Sequence, residues 1–262
     1  MGTTAVAFRD LGGSLLRLPL ALWLALDDIH GRYRRTVLGP LWIAIGQAAM
    51  IAGFAVVFSG LFGADPMTYL IYLAAGFPVW TLISYHFIDM PATFVASKGL
   101  IESYEAPWLT QIWRRSFGYL IVFVHHLIPL AVVMAVLQIT PTVNMLLVFP
   151  ALLIVLIAGA GFGMFMAVLG ARFRDLQHAA TVAAGFLILF TPVFWRAEQL
   201  RFNEWVYQYN PLYYFLTLVR YPLLQQAPPP EFWIITSAIA AALFVLGFVT
   251  FWLSRRRLFH WL

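Results

Sequence analysis

The sequence predicts an all-α integral membrane protein with six transmembrane helices, an N-terminal amphipathic interfacial helix, and short helices in one long loop on the far side. Three observations predict it. Of the 262 residues, 62% are apolar and only 10% charged, where a soluble domain carries about 45–50% and about 25%, and the mean hydropathy is +0.84. Six stretches are long and apolar enough to cross a bilayer, because a hydrocarbon layer about 30 Å thick needs about 20 residues rising about 1.5 Å each. The basic residues fall in short clusters beside those stretches. A chain with 23 Phe, 11 Tyr and 10 Trp is too greasy to be disordered. With no cysteine, disulfides and cysteine-held zinc or iron–sulfur clusters are excluded.

Residues 1–36 form the N-terminal region. The segment 14–29 is apolar but interrupted by Arg17 and closed by Asp27 and Asp28, so its core is too short to cross and reads as a helix lying in the interface, opened by Pro19. No small-residue cleavage site follows it, which argues against a removed signal peptide. The spans are expected at 37–62, 69–93, 117–137, 145–170, 176–195 and 232–253, giving a membrane domain over 37–253 and a basic tail over 254–262. Six crossings place both termini on one side. Sorted by that topology, thirteen of the sixteen basic residues lie on the terminal side, and only Arg196, Arg201 and Arg220 lie on the far side. The positive-inside rule therefore puts both termini in the cytoplasm. It also accounts for the +5 balance without a nucleic-acid partner.

The far-side loop, 196–231, is too aromatic for disorder, and its apolar run 212–219 is too short to cross, so it is expected to form a short re-entrant or interface-lying helix pair. Pro192 is placed to kink or end the fifth span there. Tryptophans near span ends, such as Trp42, Trp80 and Trp252, suit an interfacial belt. Trp195, Trp205, Tyr207, Tyr209, Tyr213 and Tyr214 exceed what a belt requires. They fit either loop anchoring or an aromatic mouth on which sugar faces slide.

Catalytic chemistry is hard to find. The lone lysine, Lys98, sits in Ala-Ser-Lys-Gly, so the chain has no P-loop and is expected not to be an ATPase or other enzyme. The glycine-rich 159–163 lies inside an apolar run, where Gly159 and Gly163 suit close helix packing rather than a dinucleotide. His86 and Asp89 share a helix face and are expected to be satisfied locally. Without further mid-membrane carboxylates they make no proton relay. His125 and His126 point about 100° apart, unsuited to one metal, and are expected to bond between helices. No catalytic residue, metal site or cofactor of its own is expected for this chain. The arginines at 32, 34 and 35 anchor the first span and, lying at headgroup depth, offer forks for phosphate oxygens.

The stretch Arg32-Tyr-Arg-Arg-Thr-Val-Leu-Gly-Pro-Leu-Trp42 resembles the entry to the first span of the type-2 ABC exporter permeases that secrete O-antigen and related polysaccharides, where R-Y-[KR]-x-[ST]-x-L-G-x-x-W is typical. Arg172-Phe-Arg-Asp175 resembles that family's R-D element and Asn210-Pro211 its N-P element. The resemblance implies a homodimer in a bacterial inner membrane, with a channel lined chiefly by the first and fifth spans. It implies two copies of a separate nucleotide-binding subunit that holds ATP and Mg. Glu102, Ser103, Tyr104, Glu105 and Pro107 would form the coupling helix against that ATPase. Arg32, Arg34 and Arg35 would meet an undecaprenyl-diphosphate-like headgroup carrying the glycan. The outer-loop helices, with their aromatics, would gate the exit. The alternatives are an exporter of capsule, teichoic acid, lipid or drug on the same architecture, or a membrane-embedded transferase, against which stands the lack of intramembrane His, Asp or Glu clusters.

Overall fold

Proline and glycine set many of the helix boundaries in this chain. The structure, a computed structural model, describes residues 3–104, 106–200 and 203–262. Where one interfacial helix is expected there are two, α1 (Thr3–Leu16) and α2 (Leu18–Tyr33). Pro19 has no N–H, and its ring clashes with the carbonyl four residues back, so the helix breaks at Arg17. Along α2, Ala21, Ala25 and Ile29 form a buried stripe at every fourth residue, while Leu22, Trp23 and Leu26 stay exposed, the two-faced pattern of an interfacial helix. Arg35 and Gly39, both in the left-handed region, turn the chain into α3 (Leu41–Phe62), and Gly63 at φ 60° ends that helix.

Asp65 caps α4 (Pro66–Ile88), accepting from the Thr68 N–H at 2.8 Å, and this bond holds its carboxyl below the usual range. Two short helices follow, α5 (Thr93–Ala96) and α6 (Lys98–Tyr104). The third span starts earlier than its apolar run, at Leu109, because the polar residues ahead of Phe117 are helical too. It comprises α7 (Leu109–His126) and α8 (Ile128–Val136), broken where Pro129 lacks its donor. Then come α9 (Val148–Arg172), α10 (Leu176–Phe190), α11 (Trp205–Gln208), α12 (Pro211–Leu223), α13 (Pro230–Ser254) and α14 (Leu258–Trp261). No described residue is in a strand.

Five of these stretches are long and apolar enough to cross a membrane: Leu41–Phe62, Pro66–Ala96, Leu109–Val136, Val143–Arg172 and Pro230–Ser254. The sixth expected span is different. As a 15-residue helix α10 covers about 22 Å, short of the roughly 30 Å of hydrocarbon. The expected continuation to residue 195 is unwound, and α11 and α12 take up the remaining depth from the other side.

Both ends of the chain meet at one end of the bundle. Arg255 donates to Asp10 at 2.8 Å, Lys98 to the Leu262 carbonyl at 3.0 Å, and Arg174 to the Trp261 carbonyl at 3.2 Å. The Arg255 guanidinium also lies 4.5 Å over the Trp108 ring. Burial pushes the Asp10 carboxyl up, and Arg255 opposes that shift.

The centre of the fold is α9, which two sides approach closely. Gly159 faces His86, Gly163 faces Met90 and Gly170 faces the Pro91 backbone, so this glycine face serves α4 and the turn after it. Gly161 faces the α13 backbone at Phe244, and Gly247 on α13 faces the Gly161 carbonyl. Such glycines let helix backbones pack where lipid provides no hydrophobic drive. A Cβ at Gly161 would lie 2.5 Å from the Phe244 backbone. Gly161→Ala is therefore expected to destabilise the protein by about 1–3 kcal/mol, read as a lower unfolding temperature in detergent. Gly53→Ala, with nothing within 4 Å of its Cβ, is the control expected to change little.

Candidate functional site

At the far end the chain dips back into the bundle. Pro211, Leu212 and Phe215 line a cavity of about 240 Å³ with Val155, Ile239 and Leu243, which lie near the middles of α9 and α13. At the other end of α12, Leu224 shares a pocket with Thr68 and Tyr72 from the first turns of α4. The helix is thus re-entrant, running from mid-bundle to the far end. Asn210 and Pro211, expected on the outer loop, sit at its inner tip. The Asn210 side chain caps α12 by accepting from Leu212 N–H at 2.9 Å, and it donates to the Phe190 carbonyl at 3.1 Å and to Thr191 Oγ1 at 2.9 Å.

The unwound segment after α10 is held by side chains. Tyr69 donates to the Phe194 carbonyl, and Tyr72 lies within hydrogen-bond distance of the Pro192 and Trp195 carbonyls at 3.1 and 2.9 Å. Arg220 donates to Tyr72 Oη and the Pro192 carbonyl, each at 2.6 Å, and to the Val193 carbonyl at 2.9 Å. Its guanidinium centre lies 4.2 Å from the Tyr72 ring centroid, and the residue is 3% exposed. Gly76 supplies the room, since a Cβ there would lie 2.0 Å from Arg220 Nη2. Charge counting placed Arg220 simply on the far side and missed this role. The available signal was an arginine closing a helical apolar run, an ionisable group at membrane depth.

The expected mouth aromatics divide into three groups. Tyr207, Tyr213 and Tyr214 come together, with ring centroids 5.1 Å apart for the first pair and 5.4 Å for the second, and the latter two pack on Phe232. Tyr214 also donates to the Gln208 carbonyl at 2.8 Å. Trp195 is buried and donates to the Leu189 carbonyl at 3.1 Å, so it braces the unwound segment. Trp205 and Tyr209 project outward, 60% and 84% exposed.

At the terminal end, α2, α4 and α7 enclose a small cleft of about 100 Å³ lined by Arg32, Arg114 and Arg115 with Asp28, Asp89 and Tyr119. Arg114 grips Asp28 bidentately at 2.5 and 2.7 Å. Below it Ile29, Ile43 and Val122 join α2, α3 and α7 in a small apolar cluster. Of the three arginines expected to act together, only Arg32 reaches this cleft. Arg34 and Arg35 are exposed beyond the end of α2. Two guanidinium groups from α7, set by the early start of that helix, join Arg32 instead.

The expected coupling segment lies partly on α6, which carries Glu102, Ser103 and Tyr104. Glu105 is outside the described residues. Pro107 abuts Gly13 of α1, its Cγ 3.1 Å from where a Cβ would stand. Two polar pairings differ from expectation. His86 donates to the Leu82 carbonyl at 2.8 Å while Asp89, past the end of α4, lines the arginine cleft. His125 donates to the Ile121 carbonyl of its own helix at 2.8 Å rather than across helices. A carbonyl four residues back is within reach in a helix and takes one ring N–H, while the His86 Nε2 stays buried without a partner.

Gly76→Ala is expected to displace Arg220 and to cost about 1–3 kcal/mol as buried carbonyls lose their donors. Thermal unfolding in detergent measures it, and Arg220→Ala should give a loss at least as large.

The sequence from residue 21 to residue 224 matches the family model for the ABC-2 type transporter. No individual curated protein matches the chain. The match covers α3 to α12 entire and most of α2, which takes in the arginine cleft, the α6 turn and the re-entrant helix. This chain therefore belongs to the ABC-2 type transporter family, as the membrane-spanning permease of an ABC exporter.

Proposed function

We propose that this permease exports a lipid-linked polysaccharide, O-antigen-like, outward across a bacterial inner membrane, with both termini in the cytoplasm. The observation that supports it most is the gathering of Arg32, Arg114 and Arg115 in one cleft beside the entry to the first span. Guanidinium forks at headgroup depth suit the diphosphate of an undecaprenyl-type carrier. Asp28 pairs with Arg114 and Asp89 faces Arg32 and Arg115, so the cleft keeps an excess of one positive charge for the ligand, with Arg34 and Arg35 flanking at the membrane surface.

In this reading the chain works as a homodimer, and α3 and α10 line a passage between the copies. Membership of the family implies an ATPase partner, and two copies of it, holding ATP and Mg, press on the α6 turn from Glu102 to Pro107. The partner supplies the energy. The permease needs only two packings of the same helices with different pore widths. The Tyr207, Tyr213 and Tyr214 cluster on the re-entrant helices forms the exit gate, where ring faces pass sugars without a deep well.

One observation favours a second cargo. An apolar groove of about 370 Å³ between α3, α4 and α8, floored by Ala44, Ala48 and Ala52, suits an acyl or isoprenoid chain without any sugar. A lipid or drug exporter would use it in the same way.

In cells, Arg32→Ala and Arg115→Ala are expected to lower surface glycan about tenfold or more, from the loss of charge-assisted hydrogen bonds worth about 1.5–3 kcal/mol, with normal membrane insertion. Arg34→Ala is expected to impair export less. Normal glycan in the first two variants removes the headgroup role. The purified permease alone is expected to hydrolyse no ATP, and activity from this chain would overturn the division of labour between two polypeptides.

A further inference from the structure

The far-end pocket beside α12 carries chemistry that neither bracing nor gating uses. It holds about 460 Å³, and its wall includes Arg196, Arg220, Tyr72, Tyr213 and Thr217, with Glu198 at the rim. Arg220 is almost wholly buried, and each of its hydrogen bonds goes to a neutral acceptor: one phenol oxygen and two backbone carbonyls. Its Nε–H has no partner. Arg196 has its guanidinium centre 5.4 Å from the same Tyr72 ring, and its Nε–H is also buried without a partner. Among the described residues, neither arginine forms an ion pair.

Two positive charges thus line one cavity, and each guanidinium keeps a buried Nε–H without a partner behind the wall. Burying a cation without a counter-charge is costly, and so is leaving an N–H unpaired in a low-dielectric site. Glu198 is exposed and balances one charge at most. An oxyanion in the pocket would neutralise the remaining charge and accept from the half-buried Arg196 guanidinium at its wall. Tyr72, Tyr213 and Tyr221 supply ring faces and hydroxyls around it.

We infer that this pocket binds a carboxylate or phosphate group on the far side of the membrane, held between Arg196 and Arg220. The site does not depend on the cargo being a glycan. In the orientation proposed above it is extracytoplasmic, open to an acidic group on an exported molecule or to an anionic lipid headgroup of the outer leaflet.

The test uses the full chain in nanodiscs of phosphatidylcholine, with glucuronate, inorganic phosphate and neutral glucose titrated by calorimetry. Saturable binding of glucuronate or phosphate and none of glucose is expected. Arg196→Gln should weaken it about tenfold or more, as a charge-assisted bond worth about 1.5–3 kcal/mol is lost, with Arg196→Lys recovering part of the affinity. Because Arg196 makes no side-chain hydrogen bond to the unwound segment, its variants should unfold at the temperature of the parent. Nanodiscs containing phosphatidylglycerol separate the sources. Loss of glucuronate and phosphate binding there identifies the lipid headgroup as the occupant, and undiminished binding identifies a soluble acidic group. Failure of both anions to bind in phosphatidylcholine, or equal binding by Arg196→Gln, overturns the inference. Surface glycan lost in the Arg32→Ala cells with anion binding retained would fault neither reading, since the two sites lie at opposite ends of the bundle.

Discussion

A helix that stops inside a membrane must find partners for the peptide groups it frees, because hydrocarbon offers none. In this protein α10 stops at Phe190, and the carbonyls of residues 190, 192, 193, 194 and 195 all accept from side chains. Four residues provide those donors: Asn210, Arg220, Tyr69 and Tyr72. Much of the far end follows from this requirement. The re-entrant α12 lies where its cap residue Asn210, just ahead of its start, and Arg220, near its end, both meet the broken helix. A glycine at position 76 follows as well, since no other side chain leaves space for the guanidinium.

The terminal end uses charge differently. Asp10 and Arg255 are paired inside a ring of aromatics, tying α1 to the end of α13. Arg114 and Asp28 tie α2 to α7. Breaking a buried pair strands a charge, so the Asp10–Arg255 contact fixes the orientation of the elements it joins more than it adds net stability, while the more exposed Arg114–Asp28 pair adds little. Between the two ends runs one stretch of chain. It begins at the tyrosines of α4 that hold the unwound segment, continues through Asp89 at the arginine cleft, and reaches α6 and Pro107, where the ATPase contact is proposed. The glycine face of α9 packs along it, so the stretch is in contact with the centre of the bundle over much of its length.

Much of this architecture is legible in composition and spacing. Apolar length locates five crossings to within a few residues at most of their ends, and the R-Y-R-R motif points to ABC exporter permeases, of which the family match supports the broad ABC-2 type. The errors share a cause. The break in the N-terminal helix follows from Pro19, which suits the first turn of a helix but also forbids its continuation from upstream. The early start of α7 is hidden because hydropathy registers the lipid-exposed part of a helix and not its polar extension. Arg34 and Arg35 are adjacent to Arg32 in sequence but stand past the end of α2, where the chain turns through a left-handed Arg35. The arginines that join Arg32 in the cleft are Arg114 and Arg115, about eighty residues away, and no local spacing signals that.

The far-side loop shows the same division in sharper form. Aromatic content and a short apolar run were sufficient to expect helices that enter without crossing. They left open which way each ring points. Tyr207, Tyr213 and Tyr214 cluster on Phe232, Trp195 turns inward, and Trp205 and Tyr209 turn out.

What the amino-acid sequence determined alone is the solvent: long apolar runs must lie in lipid, with arginines gathered beside them. Those are one-dimensional quantities, set by length and hydropathy along the chain. Only the tertiary structure decided which polar groups share a site, because burial of Arg220, the unpaired Nε–H beside it and the Arg32 cleft each depend on segments far apart in sequence approaching within a few ångströms.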